Sequence, residues 1–314
     1  GYIATEYYPA APLFVNLGVR YEISKQWVDY YTDGGKAERS ELNKNDLFPS
    51  LNMKYQMNEK NSLRFAFSRT VTRPSFIEMA PFLYQESYGS TQIRGNADLQ
   101  NGYNYNIDLR YELFEKNGDM LSITAYYKHL KAPIERVQTL SGGSAVHSFR
   151  NADNGMATGV EIEFRKEIVK DLRFGVNGSY MYTNVKLPEG GAYTNSQPAL
   201  QGASPYLANA DLTYSPAFSN DRQLSVALLY NLQGPRIHSV GISGLGDIKQ
   251  QPVHTLNFTG SYRFNRRFAV KLQVNDLLNQ DILFKQEVPT TGDKVEVERF
   301  RKGTGFEVGF SYDL

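Results

Sequence analysis

The chain contains no cysteine, so it has no disulfide framework, no thiolate nucleophile, no iron–sulfur cluster and no Cys-ligated zinc. Charge of one sign is also missing: 34 Lys and Arg against 33 Asp and Glu leave a net +1, which argues against nucleic acid as a partner. No apolar run approaches the roughly 18–20 residues that a membrane helix needs. That absence excludes a helical membrane protein only, because a membrane β-barrel dilutes every apolar residue with a polar one. Signatures of catalysis are equally scarce. No GxxxxGK[ST] or GxGxxG occurs, and Gly241-Ile242-Ser243-Gly244-Leu245 fails as a nucleophile elbow at Leu245 and reads as a glycine-rich loop. The four histidines, His129, His147, His238 and His254, include no pair at metal-ligand spacing. No enzyme activity and no resident cofactor or metal is expected.

Aromatic residues are abundant. Tyr 22, Phe 18 and Trp 1 make up 13% of 314 residues. Their arrangement follows a period of two. Across 103–114, Tyr103, Tyr105, Ile107, Leu109, Tyr111 and Leu113 alternate with Asn104, Asn106, Asp108, Arg110 and Glu112. That pattern gives a strand one apolar face and one polar face, whereas a helix would scatter it. The same alternation recurs at about 13–23, 47–57, 62–71, 119–130, 157–166, 171–184, 203–215, 222–232, 252–264, 267–277 and 303–314, making twelve strands. Most span 10–14 residues, longer than the usual five or six of globular sheets and enough to cross a bilayer at a tilt.

The connections alternate strictly between short and long. Five short ones fall near Asn58–Asn61, Glu115–Gly118, Glu167–Lys170, Pro216–Asp221 and Asn265–Arg266; six long polar ones cover about 24–46, 72–102, 131–156, 185–202, 233–251 and 278–302. An outer-membrane barrel has short periplasmic turns and long external loops, and a soluble sandwich has no reason to follow that rule. Tyr21, Tyr103, Tyr127, Tyr182, Tyr206 and Tyr230 lie on the apolar series near long loops. Tyr55, Tyr111, Tyr214, Tyr262 and Tyr312 lie on it near short turns or the C-terminus. Two rings of phenols suit two membrane interfaces. The fold class is therefore all-β: an antiparallel transmembrane β-barrel in the bacterial outer membrane.

The two ends differ. Phe306, Val308, Phe310, Tyr312 and Leu314 form one apolar face, similar to the C-terminal β-signal of outer-membrane barrels except for the terminal Leu. Residues 2–8 read as half a strand before a Pro-rich turn, and an unpaired edge in lipid is costly. The expectation is that residues 1–314 are the C-terminal part of a larger barrel domain.

Several motifs resemble those of the TonB-dependent outer-membrane receptors, in family order. They are the Arg73-Pro74 step that opens a long loop, Gly95-Asn96-Ala97-Asp98-Leu99, Ala125-Tyr126-Tyr127-Lys128 with Pro133-Ile134-Glu135, Gly159-Val160-Glu161-Ile162-Glu163, and Val274-Asn275-Asp276-Leu277-Leu278-Asn279. Ala97, Asp276, Leu278 and Leu314 depart from the family pattern. The resemblance implies a 22-stranded barrel enclosing a plug, of which this chain would hold the last twelve or so strands, with the plug and N-terminal strands absent. It implies active import of a metal chelate, haem, cobalamin, glycan or peptide with energy coupled through TonB. Implied partners are outer-membrane lipid, the N-terminal plug and remaining barrel strands of the same receptor, TonB through the missing N-terminal region, and a surface lipoprotein.

Arg110, Glu112, Glu161, Glu163 and Arg165 are expected to face the lumen, where mutual pairing is favoured over a ligand site. The thirty-residue loop 72–102 is the foremost ligand surface, through Phe82, Tyr84, Tyr88 and Arg94, although loop packing would also explain these residues. Arg236 and His238 are weaker ligand-contact candidates, and His147 with His238 could meet haem or a metal chelate. Asn151, Asp153 and Asn154 before Gly155 read as a turn rather than a calcium loop. The alternatives are a passive porin complete with 12 strands, an outer-membrane hydrolase and a soluble adhesion module. They are opposed in turn by the half-strand and motifs, by the lack of a Ser/His constellation, and by the tyrosine placement.

Overall fold

The computed structural model describes residues 1–32, 34–86, 91–141, 144–189, 193–218 and 221–313. Tyr88 and Leu314 lie outside the described residues. In chain order, β1 (Tyr2–Ala10), β2 (Leu13–Tyr31), β3 (Ala37–Gln56) and β4 (Asn61–Thr72) lead to a one-turn helix, α1 (Phe76–Met79). Short strands β5 (Leu83–Tyr84) and β6 (Ile93–Arg94) precede β7 (Gly102–Phe114) and β8 (Met120–Lys131). A hairpin of β9 (Ile134–Ser141) and β10 (Ser144–Asn151) comes next, then β11 (Asn154–Val169), β12 (Leu172–Lys186), β13 (Tyr206–Tyr214) and β14 (Gln223–Gln233). The chain ends through β15 (Arg236–Ser239), β16 (Ile248–Gln250), β17 (Val253–Arg263), β18 (Phe268–Asn275), β19 (Ile282–Val288), β20 (Asp293–Phe300) and β21 (Gly305–Tyr312).

Thirteen of these strands form one antiparallel wall in the order β1-β2-β3-β4-β7-β8-β11-β12-β13-β14-β17-β18-β21. All twelve strands read from the alternation are staves of this wall, and the half-strand is β1. The sheet does not close, since β1 and β21 are its edges. Register keeps the two faces separate over the whole width. Met53, Phe65, Leu109, Ala125, Val160, Tyr180 and Tyr206 pair side by side on the apolar face. Lys54, Arg64, Arg110, Thr124, Glu161 and Ser179 do so on the other. A one-residue slip would exchange the faces, so a lipid-exposed face fixes the register strongly. Leu109, Val160, Ile162 and Tyr180 are exposed, as a surface meant for lipid tails requires. Among the described residues no helix is long and apolar enough to cross a membrane.

Short turns follow local chemistry. The Asn58 side chain accepts the backbone N–H groups of Lys60 (2.9 Å) and Asn61 (3.0 Å). Gly118 adopts φ +87°, which a side chain would strain. After β18, Asp276 and Asn279 take φ +54° and +44°, a conformation that Asp and Asn tolerate better than other side chains.

The expected external loops are more ordered than their polarity suggests. Segment 24–46, read as a loop, continues as strand: β2 and β3 stay in register from Leu13↔Tyr55 to Tyr31↔Ala37. The β2–β3 hairpin packs on segment 72–102, through Gln26 Nε2 donating to the Pro74 carbonyl (2.6 Å), Ser40 Oγ to Ala97 (2.5 Å) and an Arg73–Glu22 ion pair (2.7 Å). That packing keeps a polar hairpin straight beyond the membrane. The remaining loops build two four-stranded sheets, β5-β6-β10-β9 and β15-β16-β19-β20. A parallel bridge, Val137↔Val240, and an antiparallel one, Tyr193↔Ile242, link elements from different loops. We call this assembly the cap.

The cap carries its own small cores. Val137, Ala152, Val185, Leu187, Ile237 and Val240 form one; Ile93, Leu99 and Phe149 form a second, with Tyr84 and Ile134 against it. Ile248, Ile282 and Phe284 form a third.

Candidate functional site in the cap

On the polar face of the wall, four of the five charges expected there form one chain of ion pairs. Glu112 lies between Arg64 (2.7 Å) and Arg110 (2.9 Å) and accepts from Ser62 Oγ (3.0 Å). Arg110 also reaches Glu163 (3.7 Å), which pairs with Arg165 (2.8 Å). Glu161 is exposed and joins no ion pair among the described residues. Mutually compensated charges of this kind stiffen a wall and leave little free potential for a ligand.

The cap concentrates more unusual chemistry. His147 of β10 and His238 of β15 come from different loops, yet their rings lie edge to face, with centroids 5.7 Å apart. Arg136 of β9 donates Nε–H to His147 Nδ1 (3.0 Å) and pairs through Nη1 with Glu86 (3.3 Å). His238 meets the Phe284 ring at 4.9 Å. Glu86, Thr91, Arg136, His147, His238, Ile248, Phe284, Val297, Glu298 and Phe300 line a cavity of about 240 Å³ there. Burial and the Arg136 charge push His147 down to about 3, and the same two causes, in the same order, push His238 down to about 4. Both imidazoles are thus neutral at neutral pH, each able to accept or donate one hydrogen bond. Among the described residues no group of three or more His, Cys, Asp or Glu side chains is placed to hold a metal ion.

Next to this cavity Glu135 is completely buried. Gln201 N–H donates to its Oε2 (3.0 Å) and Oε1 has no partner. Burial raises its carboxyl to about 7. These three groups carry the largest shifts in the cap and contribute to its pH response. As pH falls below about 6.5, the unfolded chain protonates both histidines while the folded cap does not, so stability is lost. Between about 7 and 4.5 the folded cap takes up a proton at Glu135, which restores part of it. Two losses against one gain leave a net loss of about one proton, or roughly 1.4 kcal/mol per pH unit, between about 6.5 and 4.5. Protease protection of the cap on intact cells should therefore fall between pH 7 and 5, and more steeply in Glu135→Gln. A cap equally protected at both pH values would contradict the assignment.

The ligand-contact candidates from the sequence divide. His238 lines the cavity. Tyr84 packs instead against the Ile93–Leu99–Phe149 core, and burial raises its phenol. Phe82 is exposed, with its ring 6.0 Å from that of Tyr84, and Arg94 lies on β6 with a buried Nε lacking a partner. Arg236 donates Nε–H to Gln250 (2.7 Å) and lines a different hollow. Sequence reasoning missed Arg136, Glu86, Phe284 and Phe300. The one available signal was Arg136, a cation directly after the Pro133-Ile134-Glu135 motif.

A family model described as the outer membrane protein beta-barrel family matches residues 8–312. The chain belongs to that family. A curated relative, the ferric enterobactin receptor of Pseudomonas aeruginosa, is 22% identical over 270 residues, 79% of this chain and 35% of the relative. Among solved structures, a mutant of the ferric enterobactin receptor from Pseudomonas aeruginosa aligns with a TM-score of 0.63 at 16% identity, covering 99% of this chain and 44% of that one. The ferric yersiniabactin uptake receptor of Yersinia pestis aligns with a TM-score of 0.68 at 14% identity, covering 100% and 45%. The chain thus spans less than half the length of these relatives. The wall is an outer-membrane barrel sheet and its place is the bacterial outer membrane; the relatives named are receptors, not enzymes.

Proposed function

We propose that this chain is the C-terminal wall and cap of a TonB-dependent importer whose cargo is an iron chelate of the siderophore type. The observation that carries the reading is the cap cavity, where a buried guanidinium stands between a carboxylate and a neutral imidazole beside aromatic rings. Such a site suits an aromatic chelate, which Phe284 and Phe300 would stack against and to which Arg136, already paired with Glu86, would offer its remaining N–H groups. The named relatives bind ferric enterobactin or ferric yersiniabactin, which agrees with it. The open edges β1 and β21 each present unpaired backbone that lipid cannot satisfy, so further strands of the same receptor would complete the wall around a plug. Energy would come from TonB through a region outside this chain, and a surface lipoprotein is an optional partner.

Binding of a ferric catecholate to the intact receptor, followed by fluorescence quenching, should weaken about tenfold or more in Arg136→Ala. That is the size expected for losing one charged hydrogen-bonding partner. Unchanged affinity would remove the cavity from the ligand path. Uptake that persists without the inner-membrane proton gradient would favour the passive porin reading instead.

A further inference from the structure

The cap cavity holds a proton whose position the hydrogen bonding fixes. Arg136 Nε always carries hydrogen, so in its 3.0 Å contact with His147 it is the donor and Nδ1 the acceptor. A proton on Nδ1 would set two N–H groups against each other. The neutral imidazole therefore keeps its one proton on Nε2, the tautomer dictated by the bond at the other nitrogen. The ring is also well anchored. β10 is an inner strand of its sheet, with His147 opposite Gln138 on β9 and Ile93 on β6. Its backbone N–H donates to the Gln92 carbonyl (2.9 Å), and its ring meets that of His238 edge to face. His147 is buried and borders the cavity. Among the described residues the Nδ1 contact is the only hydrogen bond its ring makes, so Nε2–H has no acceptor there. A buried N–H without an acceptor is costly, and a bound molecule that supplies one meets a donor already desolvated and oriented.

We infer that His147 is a specificity-determining donor, its Nε2–H reserved for an oxygen of the bound chelate, and that Arg136 is the positioning residue that holds the proton there. This rests on the chelate reading given above. Arg136 already spends Nη1 on Glu86 (3.3 Å), so part of its effect on binding runs through the imidazole. The same tautomer denies Nε2 to a metal ion, because a ligating nitrogen must be free of its proton. The cavity then selects the intact chelate over free metal.

The test is nitrogen NMR on the intact receptor carrying isotope-labelled histidine, with the His147 signals assigned by their loss in His147→Gln. In the parent they should show a proton on Nε2 alone and stay unchanged from about pH 7 to about pH 5. In Arg136→Met they should shift with pH or show both tautomers, which loss of a merely structural arginine would not produce. A gallium(III) tris-catecholate, a diamagnetic chelate, should move the parent's Nε2–H signal, and micromolar Zn²⁺ alone should not. Affinity for the same chelate should stay within a few fold in His147→Gln, whose amide N–H ends about where Nε2 stands. It should fall roughly tenfold in His147→Asn, whose amide ends near Nδ1. A proton on Nδ1, a Zn²⁺-shifted signal, or equal affinity of the Gln and Asn variants would overturn the assignment. A parent that binds no chelate sinks the chelate reading and this inference with it; a parent that binds while its Nε2–H signal stays still sinks this inference alone. If the variants do not reach the heat-modifiable folded form, the parent's spectra with and without the gallium chelate decide.

Discussion

Replacing Gly95 with alanine should detach the cap from the long β2–β3 hairpin while leaving the wall intact. A Cβ at Gly95 would lie 2.1 Å from the Ala80 carbonyl oxygen and 2.7 Å from that of Ile77. Both obstacles are backbone, at the helical turn that opens segment 72–102, so no side chain can swing aside. Overpacking typically costs about 1–3 kcal/mol, and a backbone obstacle places this variant at or above the top of that range. The strain falls beside Ile93 and Leu99, which anchor the segment in the core shared with Phe149. The expected result is rapid proteolytic nicking within 72–102 on intact cells, at least tenfold weaker ligand binding, and unchanged heat-modifiable migration. Gly202→Ala is the useful contrast. Its Cβ would meet nothing within 4 Å and only its φ of +73° is unfavourable, so it should cost about 1 kcal/mol. If the two variants behaved alike, the close approach at Gly95 would not matter.

Ile162→Arg should impair insertion itself. Ile162 lies mid-strand on β11, paired with Ile123 and Gly178, and is half exposed on the apolar face. An arginine at the bilayer midplane of a barrel costs about 2–4 kcal/mol. The adjacent Glu161 points to the other face and has no ion pair among the described residues, so Glu161→Gln should stay within about 0.5 kcal/mol. Urea titration of folded receptor in lipid vesicles, together with outer-membrane abundance, measures both. A similar cost for the two substitutions would mean that the faces have been assigned wrongly.

The wall was legible in the sequence because each stave pairs with the nearest other stave along the chain, and because lipid on one side demands a period-two alternation along every stave. Tyr103 to Leu113 needed no partner to be recognised. The hairpin extension was not legible: beyond Ile23 the outward series runs Lys25, Trp27, Asp29 and Tyr31, a solvated strand without a clean period. The cap was hidden for a different reason. Its strands are as short as two residues, and their partners lie far along the chain, as in the parallel pairing of His147 with Ile93. The His147–His238 contact joins two loops whose local spacing says nothing about each other. Arg136 looked like one more polar residue in a polar segment, and only burial shows that it is the centre of a cavity. Tyr84 was singled out as a ligand contact and packs against the Ile93–Leu99–Phe149 core, and an aromatic residue that packs and one that binds look identical in sequence.

The bridge between Val137 and Val240, and that between Tyr193 and Ile242, also impose a timetable on assembly. Closing such distant pairs is slow because loop-closure entropy precedes any reward. The staves can zip one hairpin at a time, but the centre of the cap has nothing to close on until residues 236–242 have reached the same side of the membrane. The loops must therefore cross as unstructured chain and knit together afterwards. The last contacts to form are then those that hold the cap together.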